Sequence, residues 1–107
     1  MTDLRRIEIR NAMIDEVRNN SKYYQTDVAY DTFTVATYDF KHPLVFVVRE
    51  SGTHLLGDLD SKPEINRVHA FDVLNHYHEN NARYFQISES GMSQISHAEA
   101  LLLAGTF

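Results

Sequence analysis

The side chains best suited to chemistry stand together at one short turn: Arg49, Glu50 and His54. A guanidinium, a carboxylate and an imidazole are the parts a small metal-independent ribonuclease uses. One group takes the proton of a 2′-hydroxyl, another protonates the leaving oxygen, and the cation steadies the phosphate. The same three types are also ordinary at the solvated end of a hairpin. A second set, His69, Asp72 and His76, falls at i, i+3 and i+7 and so shares one helical face. Imidazole and carboxylate are ligands for zinc, but a helix also needs a polar outer face for solvent alone. No His-Glu-x-x-His pattern accompanies them, and neither a metal nor any other cofactor is expected.

The run Phe46-Val47-Val48-Arg49-Glu50-Ser51 resembles the Phe-Leu-Val-Arg-Glu-Ser strand of SH2 domains. In that family the arginine makes a bidentate contact to phosphotyrosine and the following serine contacts the same phosphate. A His-Tyr pair, matched here by His76-Tyr77, stands on a later strand, and its histidine lines the pocket. The family also carries a helix just before its arginine strand and opens on a tryptophan, a residue this chain lacks. The resemblance implies an anion-binding pocket made of Arg49, Ser51 and His76.

The tyrosines form a third group. Tyr23 and Tyr24 sit in a polar stretch, and Tyr30 and Tyr38 follow in a run that reads as a strand. Tyrosine is favoured in protein interfaces because it offers a large contact area and a hydroxyl at low entropic cost. It is favoured in strands for packing alone. Tyr23-Tyr24, in a loop that demands little packing, is the leading interface candidate, with Tyr30 and Tyr38 beside it.

Other chemistries lack their motifs. There is no Gly-x-Ser-x-Gly elbow, no P-loop and no Gly-x-Gly-x-x-Gly turn, and the chain holds four glycines in all. The absence of cysteine removes thiolate metal sites, disulfides and a thiol nucleophile, and suits a reducing, cytoplasmic compartment. The net charge is −5 and the basic residues are dispersed. Duplex nucleic acid is therefore a poor partner, because it is held by clustered Lys and Arg. No apolar run approaches the roughly 20 residues of a membrane span, and no secretory signal is expected.

The elements that must position these groups follow from periodicity. Residues 3–19 predict a helix, with Ile7, Met13, Ile14 and Val17 on one face and the stem of Arg10 in the same stripe. Residues 28–40, rich in Thr, Tyr, Phe and Val, predict a strand. Residues 44–49 predict a central strand, because five apolar residues run without a break. A short strand at 54–56 follows. Ser61-Lys62-Pro63-Glu64 has the spacing of a capping box and predicts a helix to about Glu79. Residues 83–88 predict a strand broken by Gly91. Ser96-His97-Ala98-Glu99 predicts a second capped helix, with Gly105 as its terminal glycine.

With 107 residues and no linker or repeat, the chain reads as one α+β domain. The expected architecture is a mainly antiparallel four-stranded sheet with three helices, in the order α-β-β-β-α-β-α. The leading functional expectation is a non-enzymatic protein-binding or regulatory module. Small acidic domains without catalytic motifs are frequent among accessory proteins of phages and mobile elements, which bind and block a host protein. An anion-binding module centred on Arg49 and a small ribonuclease are the alternatives. An open sheet edge would also permit a homodimer.

Overall fold

The computed structural model describes residues 1–20, 24–49, 52–57, 62–76 and 81–107. Helices α1 (Asp3–Asn20) and α2 (Tyr24–Thr37) come first. Strands β1 (Leu44–Arg49) and β2 (Gly52–Leu56) follow, then α3 (Pro63–His76), β3 (Arg83–Ser88), β4 (Gly91–Ile95) and α4 (His97–Ala104). The class is α+β with a four-stranded antiparallel sheet, as expected. Among the described residues the element order is corrected to α-α-β-β-α-β-β-α, with four helices.

The sheet order is β2-β1-β3-β4, and every pairing is antiparallel. Side chains alternate across a strand, so β1 divides between two cores. Leu44, Phe46 and Val48 join Phe85 and Ile87 under α1 and α2, while Val45 and Val47 join Leu56 and Tyr84 under α3 and α4. Helices thus cover both faces. That is why β1 is apolar at consecutive positions, where an antiparallel strand with one wet face would alternate.

Residues 28–40 do not form a strand. Val28, Asp31, Thr32 and Val35 are buried, and their spacing of three and four is that of a helix face. The Thr and Val content suggested β structure, but propensity is a weak prior that packing overrides. The threonines fit because their hydroxyls bond back along the helix. Thr32 donates to Ala29 O at 3.0 Å and Thr34 to Tyr30 O at 3.1 Å. Two long-range bonds then dock α2. Arg6 Nη1 donates to Val35 O at 2.6 Å, and Thr53 Oγ1 donates to Asp31 Oδ2 at 2.6 Å.

The buried stripe of α1 is Ile9, Met13 and Val17, with Ile14 partly covered. Each such side chain contributes roughly 1.5–3 kcal/mol of burial. Ile7, expected in this stripe, is half exposed, and Arg10 faces solvent. Arg6 is the arginine that covers apolar surface, with its guanidinium 5.4 Å above the Phe40 ring.

On the other face Ala70, Val73 and Leu74 bury α3. Its last described residue is His76, while Ser61 and residues 77–80 lie outside the described residues. The capping box of α4 is present in full. Glu99 N donates to Ser96 Oγ, and Ser96 N donates to Glu99 Oε1, both at 3.1 Å. Gly105 ends α4 in the right-handed region, so no left-handed glycine is needed there. Gly91 does not merely break β3. It opens a further strand, β4, with φ +122°. Gly57 follows β2 at φ +104°, and a β-carbon there would meet the Phe107 ring at 3.0 Å. A side chain is therefore excluded by both backbone and space.

Candidate functional site

The four tyrosines do not form one patch. Tyr23 lies outside the described residues. Tyr24 is the first residue of α2, and its side chain also lies outside them. Tyr38 belongs to the core: it is 8% exposed, donates from its hydroxyl to His42 O at 3.1 Å and meets the Phe40 ring edge-on at 4.8 Å. Tyr30 is the reverse case, at 74% exposed. One turn later Phe33 is 66% exposed, so two aromatic rings stand on the outward face of α2. Sequence reasoning missed Phe33 because a strand over 28–40 would have placed it by alternation. The helical spacing of Val28, Asp31, Thr32 and Val35 was the signal that would have found it. Around the rings, Thr34 and Thr37 direct their hydroxyls to the helix's own carbonyls.

The Arg49 region lies where β1 turns into β2, on the opposite face of the sheet from α2. Val47 pairs with His54 and Arg49 with Gly52, so Arg49 and His54 project to the same face as α3 and α4. Their side chains meet, with Arg49 Nη2 2.5 Å from His54 Nε2. A guanidinium can only donate, so in this contact His54 Nε2 is the acceptor. Tyr84 stands on the same face of β3. Burial raises its hydroxyl pKa above the ordinary 10.0, and the Arg49 charge offsets part of that rise. The His97 ring lies 5.3 Å from the Tyr84 ring, and its Nε2 donates to Leu74 O at 2.7 Å. That carbonyl belongs to α3, so the bond ties the start of α4 to α3. Tyr84 and His97 were not singled out in the sequence, where nothing links a strand tyrosine to a residue just inside a capping box.

Glu50 and Ser51 lie outside the described residues. His76 is described, but on a helix and not on a strand: it closes α3 with Nε2 3.8 Å from Asp72 Oδ1, both exposed. An exposed pair of this kind contributes little. A helix does precede β1, as in the SH2 pattern, whereas the strand context of its histidine is not matched. Among the described residues no group of three or more His, Asp or Glu side chains could hold a metal ion, which covers His69, Asp72 and His76. No helix of the described residues is long and apolar enough to cross a membrane.

A cleft of about 350 Å³ lies at the opposite end of β1, lined by Phe40, Lys41, His42, Pro43 and the turn Ser88-Glu89-Ser90. It contains none of the groups picked out by residue type. No protein-family model matches the chain, and neither a curated protein nor a solved structure matches it.

Proposed function

We propose that this protein is a non-enzymatic protein-binding module whose contact surface centres on the outward face of α2. The observation that carries the reading is the pair Tyr30 and Phe33, exposed at 74% and 66% one helical turn apart. Neither ring serves the core, and aromatic side chains at helical spacing are the anchors by which a helix enters a groove on a partner. The threonine hydroxyls beside them are engaged by backbone, which lowers the polar cost of covering the face. The partner is a protein of a reducing, cytoplasmic compartment, and its blockade is the regulatory effect. Tagged protein is incubated in lysate of the native host, and bound proteins are identified by mass spectrometry. One dominant stoichiometric partner, lost with Tyr30→Ala plus Phe33→Ala, supports the assignment. Equal capture by the double variant overturns it.

A second reading rests on the contact between Arg49 and His54. An arginine fixed at a strand end beside an imidazole is equipped to receive an anion. Phosphotyrosine peptide and inorganic phosphate are the probes, followed by amide chemical shifts. Shifts confined to β1 and β2 support it, and none at millimolar ligand ends it. The ribonuclease reading needs Glu50 as its acid or base. Cleavage of RNA that His54→Ala abolishes would be its support.

A further inference from the structure

From the β4 edge we infer a homodimer: two copies of this chain join antiparallel through that edge, with Ser93 on the two-fold axis. The sheet ends in β4, and among the described residues no strand pairs with its outer side. The other edge differs. Gly52, Thr53 and Leu56 of β2 are buried, and Thr53 is tied to α2. In β4, Ser93 and Gln94 are exposed.

The hairpin geometry says which backbone groups face outward. Ser88 pairs with Gly91 across the two-residue turn Glu89-Ser90. Residues flanking such a turn exchange both backbone hydrogen bonds, and bonded pairs then alternate along the ladder. Gly91, Ser93 and Ile95 therefore direct their N–H and C=O groups to β3. Met92 and Gln94 direct theirs away from it.

Natural edges are usually guarded by a charge, a proline or a bulge. The strand Gly91-Met92-Ser93-Gln94-Ile95 has neither a charge nor a proline, and its register with β3 runs without a bulge. Antiparallel self-pairing about Ser93 sets Met92 against Gln94 of the second copy. The outward groups of both copies then satisfy one another. The axis falls on a pair without hydrogen bonds, where α-carbons approach to about 4.5 Å, and a small serine suits that approach. The interface is isologous and closed, so it stops at two.

Helix α1 widens the contact. Arg5, Glu8 and Ala12 line a groove with Gly91 and Met92. Arg5 and Glu8 pair at 3.2 Å and leave this flank neutral, although the whole chain carries −5.

The test is sedimentation velocity over a wide concentration range. Wild type is expected to pass from monomer to dimer. Gln94→Pro removes only an outward N–H and is expected to stay monomeric while unfolding like wild type. Gln94→Lys guards the edge without touching backbone and is expected to weaken the dimer at least tenfold. Because the chain has no cysteine, Ser93→Cys supplies a single thiol on the axis. Disulfides span α-carbon distances of roughly 4.4–6.8 Å, so mild oxidation should give a covalent dimer, well above a Ser90→Cys control. Wild type that stays monomeric at the highest concentration, with Ser93→Cys crosslinking no faster than the control, overturns the proposal. Tyr30→Ala plus Phe33→Ala is expected to leave the dimer intact, which separates this surface from the α2 face.

Discussion

Thr53 donates a 2.6 Å hydrogen bond to Asp31, and both side chains are buried although they stand 22 residues apart. This bond joins α2 to the edge strand β2. Removing one partner of a buried hydrogen bond costs about 1–3 kcal/mol. Thr53→Val keeps the shape and removes the donor. It should lower the unfolding free energy by about 2 kcal/mol, read from the midpoint of a urea titration at unchanged slope.

The exposed rings of α2 should behave in the opposite way. Tyr30→Ala and Phe33→Ala remove no core contact, so stability should stay within about 0.5 kcal/mol of wild type. Tyr38→Phe, which deletes the buried bond to His42 O, should cost about 1 kcal/mol. Thermal unfolding of the three variants side by side would check the contrast. A large loss at Tyr30 or Phe33 would return those residues to a structural role.

Tyr84 gives the fold an alkaline limit. Its folded pKa lies above the unfolded value of 10.0, chiefly through burial. Above pH 10 the unfolded chain releases this proton before the folded chain does. The folded state then binds more protons, and stability falls as pH rises. Its contribution is fully present below pH 10 and is lost as pH climbs through the folded pKa. Tyr84→Phe should flatten this part of the stability curve, measured by urea unfolding at a series of alkaline pH values. An identical alkaline slope in the variant would count against it.

The capping box of α4 offers a local check. Ser96→Ala leaves Glu99 N without its side-chain acceptor and should cost about 1 kcal/mol. Glu99→Ala removes the reciprocal bond to Ser96 N and should cost less, because that N–H is exposed to water. A denaturant titration of both variants would rank them.

Local signals read correctly where the chemistry was local. The capping box at Ser96 and Glu99 is complete within four residues, and the unbroken apolar run of β1 reports burial on both faces. Reading failed where two local signals disagreed. In residues 28–40 the Thr, Tyr and Val content favoured a strand, while the spacing of Val28, Asp31, Thr32 and Val35 favoured a helix. Packing against α1 and β2 decided for the spacing. Gly91 failed for a related reason: a glycine at positive φ ends one strand and begins the next with equal ease.

By itself, the sequence determined the class, the central strand and the third and fourth helices. Those features are written in spacing, caps and composition, which act over a few residues. Only the tertiary structure decided that Tyr38 is core and Tyr30 surface, that Phe33 joins Tyr30, that Arg49 meets His54, and that β4 is left as an edge. Each of these depends on which face of an element meets its neighbour. The competing conformations of α2 differ by tenths of a kcal/mol per residue in propensity, and whole buried side chains outweigh that difference.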